Sequence, residues 1–387
     1  MSSSRGRGHH HKREDLRYRG FSGWMRKHKK AVIQTGIGVT AISLVLGAWY
    51  TAGMYQRRKA QEAMIEQHRL ESLAAEEQQM EEEIAFQESF SETMSLAEPE
   101  VTWNGIHYRR NSYVKAVLCL GVDRKGTMTE TTISGDGGQA DGIFLLAYDT
   151  ARNDVKILLI PRDTITEITE TDISLTEKNG TELGTIQDHL SLSYAYGDGR
   201  EKSCEYAKEA VSNLLFDMNI DYYMAADLDI INSLNDAVGG VEVTIPTLGM
   251  ENADPEFVFG RTVLLKGDQA ERFVRYRDIT RDNSAIARME QQKLYISGFF
   301  QAVKNQSKKE SNIVENLFSM AQEYMVTDMA KAQYLKMAAG VIDGEGLTGE
   351  DFYMTPGMGT ATETYDEYYV DYESLMPILL EMFYRED

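Results

Sequence analysis

Residues 31–56 form a run of 26 residues without a single charged side chain. As a helix, such a run is long enough to cross a hydrocarbon core of about 30 Å. A cleavable signal peptide is the alternative, but the run exceeds the usual apolar region of such peptides and no small-x-small cleavage site is evident. We therefore predict a retained transmembrane helix over residues 31–55.

The charge of the chain is distributed unevenly around this run. Residues 1–30 hold ten Lys and Arg against two acidic residues, whereas the whole chain has a net charge of −21. The positive-inside rule then predicts a basic cytoplasmic tail and an extracellular C-terminal part, in a single-pass protein of the cell membrane. Because the outer part is strongly acidic, no nucleic acid is expected as a partner. The basic tail is expected to meet anionic lipid headgroups.

Residues 56–100 are rich in Glu, Gln and Ala, which favours an acidic helical stalk or linker. Its heptad positions are partly apolar, so a homodimer through a coiled coil stays open beside a solvated single helix or a disordered spacer. Residues 101–387 then alternate apolar strands with helical stretches, which predicts an α/β domain around a central, partly mixed sheet. In this domain we expect a Gly/Thr-rich loop around residues 357–362.

Two aspartates stand at the ends of predicted strands, Asp123 at the end of the strand at 114–123 and Asp141 just before the strand at 142–149. Neither has an obligate basic neighbour in sequence. Mg²⁺ prefers one or two carboxylates together with phosphate oxygens, so the two aspartates could share such an ion. The alternative for each is to cap a turn or a helix.

Arginines appear at two further places. The buried strand in "VKILLIPRDT" ends on Arg162, with Asp163 as its expected local support or a turn cap. In "RFVRYRD", Arg275 and Arg277 would lie on the same side if the segment is a strand. Two guanidinium groups on one face repel each other, and their planar fork suits phosphate or pyrophosphate. Surface salt bridges are the alternative reading of this pair.

Seven segments in their order along the chain resemble the LytR-CpsA-Psr family: "LCLGVDRKG", "GQADGIFLLAYD", "VKILLIPRDT", "LSYAYGDG", "LNDAVGGVEVTIP", "LLKGDQAERFVRYRD" and "ARMEQQ". The resemblance covers roughly residues 113–300, with a continuation to 385. It implies an α/β/α sandwich with a hydrophobic pocket for a polyprenyl tail. It also implies an Mg²⁺-dependent phosphotransferase at the outer face of a Gram-positive cell membrane. Such an enzyme attaches undecaprenyl-pyrophosphate-linked glycopolymers to peptidoglycan, and a pyrophosphatase side activity would be compatible with it.

The resemblance also assigns roles to residues. It implies that Asp123 and Asp141 are metal-associated. The catalytic groups that would contact the pyrophosphate are Arg162, Arg275, Arg277 and Arg288, with Gln292 beside them on the substrate.

The chain departs from the family pattern at several positions. Gln139 stands where the family commonly has the arginine of Arg-Ser-Asp, and His189 begins the segment that replaces Lys-x-Asn. The common Asp-aromatic-Gly-Arg is Ala285 to Arg288 here, so that Asp282 is the nearest carboxylate, and Gln291 replaces the next arginine. We expect Gln139, His189 and Asp282 to contact substrate in place of the missing groups. A non-catalytic polyprenyl-phosphate-binding or envelope scaffold or regulatory protein of the same fold is the second hypothesis.

Overall fold

The computed structural model describes most of the chain after residue 77. It covers residues 78–91 and 94–387 without 125, 132, 134, 172–181, 279–283, 345 and 362–365, and scattered earlier positions (28–30, 33, 34, 58, 59, 63, 64, 66, 67, 69–71, 73–75). Two compact units result, residues 1–82 and residues 83–387. Every described residue between 58 and 82 is helical.

The predicted transmembrane helix at 31–55 lies outside the described residues, apart from Ile33 and Gln34. Among the helices that the structure does describe, none combines the length and the apolar character needed to cross a membrane.

The second unit contains strands and helices in alternation. Its strands are β1 (Glu100–Trp103), β2 (Ile106–Arg110), β3 (Val114–Val122), β4 (Ala140–Asp149), β5 (Asp154–Ile160), β6 (Ile165–Thr171), β7 (Glu182–His189), β8 (Tyr222–Asp227), β9 (Val241–Thr244), β10 (Thr262–Leu265), β11 (Met325–Thr327), β12 (Phe352–Met354), β13 (Gly357–Ala361), β14 (Asp366–Val370) and β15 (Tyr384–Glu386). Its residues 83–91 are helical. Its later helices are α1 (Leu190–Ala195), α2 (Glu201–Leu214), α3 (Ile230–Ala237), α4 (Gln269–Arg275), α5 (Ser284–Ser307), α6 (Ile313–Ala321), α7 (Lys331–Asp343) and α8 (Tyr372–Phe383).

A six-stranded mixed sheet forms the centre of this unit, in the order β11-β8-β3-β4-β5-β12. Strand β3 runs antiparallel to β4 and parallel to β8, and β4 runs antiparallel to β5. At one edge of the sheet, β12 pairs parallel to β5. At the other edge, β11 pairs antiparallel to β8. The prediction of an α/β fold with a central mixed sheet is therefore confirmed.

Helices cover both faces of the sheet, which explains why its strands read as continuous apolar runs rather than alternating ones. On β3, Leu118 and Leu120 join a core with residues of α2 and α8. On the opposite face, Val117 and Cys119 join a core with residues of α5 and α7. Burial on both sides fixes the ends of these strands rigidly, and the candidate site lies at those ends.

The structure decides one conditional interpretation and contradicts one local prediction. The segment with Arg275 is the helix α4 and not a strand, because Ala270, Phe273 and Val274 are its buried residues and their spacing of three and four follows the helical period. Residues 357–361 of the predicted Gly/Thr-rich loop form strand β13, because they pair in register with β14, from Gly357 opposite Val370 onward. A local pattern in sequence does not reveal that partner.

Candidate functional site

One edge of the central sheet collects the charged residues that the sequence singles out. Val122 at the end of β3 pairs with Ala140 at the start of β4, and Ile143 of β4 pairs with Ile160 at the end of β5. Asp123 therefore follows β3 at the same edge at which Asp141 lies in β4 and Arg162 follows β5.

Asp141 lies between two arginines from different elements. Nη1 of Arg162 donates a hydrogen bond to Oδ1 of Asp141. Nη1 of Arg288, which α5 provides, lies 3.6 Å from Oδ2 of the same carboxylate. The Asp141 side chain is only 14% exposed. Asp141, which has no obligate basic neighbour in sequence, thus has two in three dimensions, because the loop after β5 and helix α5 both bring a guanidinium group to it.

Arg162 has a second carboxylate partner. Its Nε donates to Oδ1 of Asp163 at 3.1 Å, which is the supporting contact expected for Asp163. Burial lowers the pKa of Arg162, but the carboxylates of Asp141 and Asp163 more than offset that effect, so that its pKa is raised. Burial lowers the pKa of Arg288, although Asp141 acts in the opposite direction.

Arg275 and Arg277 contact different carboxylates. Nη2 of Arg275, the last residue of α4, donates to Oδ1 of Asp123 at 2.6 Å. Nη2 of Arg277 donates to Asp366 at the start of β14. Both arginines are therefore near the site, and each guanidinium group already has a carboxylate of the protein as a partner, without a bound phosphate.

Gln291 is a residue whose role the sequence did not reveal. It is 1% exposed and lies in α5. With its amide nitrogen turned toward α4, it donates to the carbonyl oxygens of Phe273 at 2.8 Å and Tyr276 at 3.1 Å. These bonds fix the backbone on both sides of Arg275. A polar residue three positions after Arg288 was visible as a departure from the family pattern, but its backbone partners were not.

The remaining predicted substrate contacts lie in different settings. His189 joins the site indirectly: its Nε2 is 3.0 Å from the carbonyl oxygen of Asp366, and its Nδ1 is 3.0 Å from Oδ1 of Asp188. Gln139 is exposed, and its backbone carbonyl oxygen accepts a hydrogen bond from the backbone N–H of Asp123 at 2.9 Å. Asp282 lies outside the described residues.

An apolar cavity of about 210 Å³ adjoins these charges. Its wall includes Asp141, Arg275, Arg288 and Gln292, together with the apolar side chains of Phe144, Met224, Leu228, Ile231, Leu234 and Ile296. The site thus combines guanidinium groups with an apolar cavity.

Asp227, the last residue of β8, also lies in the cavity wall and is fully buried. Its Oδ1 accepts from the backbone N–H of Asp229 at 2.8 Å, while its Oδ2 has no hydrogen-bond partner among the described residues. Burial raises the pKa of Asp227 to about 6. The sequence did carry a signal for it, because Asp227 ends the short segment "DYYMAAD" at 221–227, as Asp123 ends the apolar segment at 114–123.

The donor atoms at this edge suit a hard divalent cation. Carboxylate oxygens are the ligands that Mg²⁺ prefers, and one or two of them suffice when phosphate oxygens and waters complete the shell. No cluster of three or more His, Cys, Asp or Glu side chains that could hold a metal ion occurs within the described part of the chain. The carboxylates of Asp123 and Asp141 at this edge are the residues that would hold an ion in a site of the smaller kind.

Comparisons with known proteins agree with this architecture. A family model described as the LytR_cpsA_psr family matches residues 69–379. The chain is similar to two curated proteins named polyisoprenyl-teichoic acid–peptidoglycan teichoic acid transferase TagU. The one from Bacillus cereus is 30% identical over 162 residues, 42% of this chain and 44% of the relative. The one from Halalkalibacterium halodurans has the same identity and the same coverage. The chain thus spans less than half the length of these relatives.

Solved structures support the fold. A protein of Streptococcus agalactiae matches with a TM-score of 0.54 and 19% identity, over 70% of this chain and 87% of that one. A structure described as TagT bound to LI-WTA matches with a TM-score of 0.51 and 15% identity, over 75% of this chain and 94% of that one. Identities this low speak for a shared fold only.

Proposed function

The chain belongs to the LytR_cpsA_psr family, and from that premise we propose that it is a phosphotransferase that attaches glycopolymers to peptidoglycan. Its donor would be a polyprenyl-pyrophosphate-linked glycopolymer. The names of the curated relatives, which describe transfer of teichoic acid from a polyisoprenyl carrier to peptidoglycan, support this choice.

The observation that carries the proposal is the junction of an apolar cavity with guanidinium groups. Arg275 and Arg288 lie in the wall of a cavity whose other side chains are mainly apolar. A ligand that satisfies both surfaces has an anionic head and a hydrocarbon tail. Bidentate guanidinium groups suit phosphate oxygens, and the cavity suits an isoprenoid chain.

The proposed reaction transfers a phosphoryl-linked glycopolymer. An acceptor hydroxyl of peptidoglycan attacks the phosphorus that carries the glycopolymer. The bond from this phosphorus to the bridging oxygen breaks, the lipid phosphate leaves with the electron pair, and the hydroxyl proton passes to a base. Arg162, Arg275, Arg277 and Arg288 would bind and orient the pyrophosphate and stabilise the charge that develops on its oxygens.

Mg²⁺ belongs to the proposal, with Asp123 and Asp141 as its predicted ligands. The ion would neutralise part of the pyrophosphate charge when it is bound. Because both oxygens of Asp141 face guanidinium groups, Asp141 would share its charge between the arginines and the ion.

Membrane anchoring completes the proposal. The uncharged run at 31–55 would hold the protein in the cell membrane, with the basic tail in the cytoplasm and residues 101–387 outside, near lipid-linked donor and peptidoglycan. Protease added to intact cells should degrade the C-terminal domain. Degradation only after the cells are lysed would contradict this topology.

The experiment for the function uses purified full-length protein, a polyprenyl-pyrophosphate-linked glycopolymer, a peptidoglycan acceptor and Mg²⁺. Arg275→Ala should lower the rate of transfer by about 10²-fold or more, as expected when one preorganised donor is lost. The matched control is Arg109→Ala, because the ion pairs of Arg109 with Glu100 and Asp387 are exposed. Its transfer rate should stay near that of the wild type.

The outcome that would contradict the proposal is saturable binding of the polyprenyl phosphate without turnover under Mg²⁺, Mn²⁺ or Ca²⁺. Such a result would favour the second hypothesis, a non-catalytic polyprenyl-phosphate-binding or scaffold protein.

A further inference from the structure

A large open cleft lies apart from the apolar cavity and has a volume of about 770 Å³. Ligand sites in proteins usually have volumes of about 300–1,000 Å³. The arginines and aspartates of the candidate site do not line this cleft. Its wall is formed by residues within 83–91, 165–167, 213–217, 357–358 and 369–372, together with Met94, Ser95 and Gln187.

The cleft lies along strands that lead away from the candidate site. Strand β6 follows Arg162 after a short turn, and its first residue, Ile165, already lies in the cleft wall. Strand β14 begins at Asp366, which binds Arg277, and reaches the cleft at Tyr369. At about 3.3 Å per residue, Tyr369 lies about 10 Å along the strand from Asp366. A short run of sugar rings is long enough to span that distance.

The wall of the cleft carries only negative charge. Among the described residues that line it, none is Lys, Arg or His. Five carboxylates of the wall take part in no ion pair among the described residues: Glu83, Glu88, Glu167, Asp217 and Asp371. Burial raises the pKa of Tyr372 to about 12, and the negative charge of Glu88 acts in the same direction. A ligand that carries phosphate is therefore repelled from the cleft.

The cleft offers hydrogen-bonding groups beside aromatic rings. Gln187 and Asn213 add amide groups to the carboxylates of the wall. Tyr369 and Tyr372 supply aromatic surface, and Phe216 packs edge-on against Tyr372 with the ring centroids 5.4 Å apart. A sugar strand matches both features, because its hydroxyl and acetamido groups donate hydrogen bonds and its C–H faces pack on aromatic rings.

One wall of the cleft is a helical segment that is fixed to the domain. Gln87 in this segment is 8% exposed, and its Oε1 accepts the backbone N–H of Tyr372 at 2.8 Å. Its Nε2 donates to Oε1 of Glu83 at 2.9 Å. These bonds tie residues 83–91 to the start of α8, so the cleft is formed before a ligand binds.

We propose that this cleft binds the glycan strand of the peptidoglycan acceptor, while the lipid-linked donor binds at the arginines and the apolar cavity. The inference rests on the proposed function for the identity of the acceptor, and it adds a binding site for that acceptor. Charge separates the two substrates, because the acidic wall admits an uncharged sugar strand and rejects a phosphate.

The test measures binding of chitohexaose, a short uncharged strand of N-acetylglucosamine, to purified full-length protein by isothermal titration calorimetry. The lipid-linked donor is left out. The double variant Glu88→Gln/Glu167→Gln removes two exposed charges from the cleft wall and preserves side-chain size. The matched control is Glu242→Gln/Glu350→Gln, which removes two exposed charges outside the cleft.

We expect saturable binding by the wild type and by the control, with dissociation constants within about twofold of each other. In the cleft variant the dissociation constant should rise about fivefold or more, because charged acceptors form stronger hydrogen bonds than neutral ones.

The transfer assay gives a second readout. The KM of the cleft variant for peptidoglycan should rise by a similar factor, while kcat and the KM for the lipid-linked donor stay within about twofold of the wild type. The thermal midpoint of the cleft variant should equal that of the control, whereas a merely structural role of the two glutamates would lower it.

Equal affinities of the cleft variant and the control for chitohexaose would overturn the inference. The absence of saturable binding by the wild type below about 1 mM would overturn it as well. An equal rise in the KM for donor and acceptor would overturn the assignment of the cleft to the acceptor. Sugar binding that follows the expected pattern, in a protein that transfers nothing, would support the binding site and count against the proposed function alone.

Discussion

Replacing Asp141 with asparagine should destabilise the fold far more than the same change at Asp123. Asp141 faces Arg288, whose side chain is 9% exposed, and Arg162, whose side chain is 24% exposed. Arg162 keeps Asp163 as a partner, but Arg288 has no other carboxylate within ion-pair distance among the described residues. Removal of one partner from a buried ion pair costs about 3–5 kcal/mol, because the other charge stays buried without compensation.

Asp123 is the internal control for this reasoning. Its side chain is 41% exposed, and its partner Arg275 also lies 3.6 Å from Glu271. Exposed pairs of this kind contribute about 1 kcal/mol or less. Asp123→Asn should therefore leave the free energy of unfolding close to that of the wild type.

Urea unfolding of the full-length proteins, followed by far-ultraviolet circular dichroism at pH 7 and fixed salt, separates the two cases. Asp141→Asn should move the midpoint down by about 1–2 M, if unfolding has a slope of a few kcal/mol per molar urea. Equal midpoints for the two variants, or a loss below about 1 kcal/mol for Asp141→Asn, would refute the view that Asp141 is the buried counter-charge of Arg288.

Two further predictions concern buried polar groups. Gln291→Glu replaces a donor to the carbonyl oxygens of Phe273 and Tyr276 with a carboxylate, so the free energy of unfolding should fall by about 1–3 kcal/mol or more. The control Gln301→Glu, on the exposed side of α5, should change it little. Equal urea midpoints for the two variants would contradict the assigned contacts. Burial raises the pKa of Asp227 from 3.8 to about 6, so the folded protein retains a proton that the unfolded chain loses between about pH 4 and pH 6. In EDTA, the free energy of unfolding of the wild type should therefore equal that of Asp227→Asn below about pH 4. As the pH rises through 6, it should fall below that of the variant by roughly 3 kcal/mol. A difference in thermal unfolding that does not depend on pH would contradict this assignment.

The parts of the fold that could be predicted are those in which one segment carries its own pattern. The apolar run of β5 is buried on both faces and therefore shows in sequence as a strand. Helix α2 shows in the same way, since Ala207, Ala210, Val211 and Leu214 of its buried side recur at helical spacing. Helix α4 is harder to identify, because its seven residues hold only three buried positions, Ala270, Phe273 and Val274, which is little evidence for a period.

The parts of the site that could not be predicted depend on partners distant in sequence. Arg277 is bound by Asp366, 89 residues away, and Arg275 by Asp123, 152 residues away. The sequence left open whether Arg275 and Arg277 bind a phosphate or form surface salt bridges. It did not show that tertiary structure brings an aspartate to each of them.

This pairing has a consequence for how the site would bind phosphate. Arg162, Arg275, Arg277 and Arg288 face the carboxylates of Asp141, Asp163, Asp123 and Asp366. The site therefore offers little net positive charge to a pyrophosphate, and Gln139 adds none where the family commonly has an arginine. A divalent cation held by Asp123 and Asp141, as proposed above, would supply the missing charge and would draw Asp123 away from Arg275. The cation and the pyrophosphate should then each raise the affinity of the site for the other, since a coupling free energy acts equally in both directions.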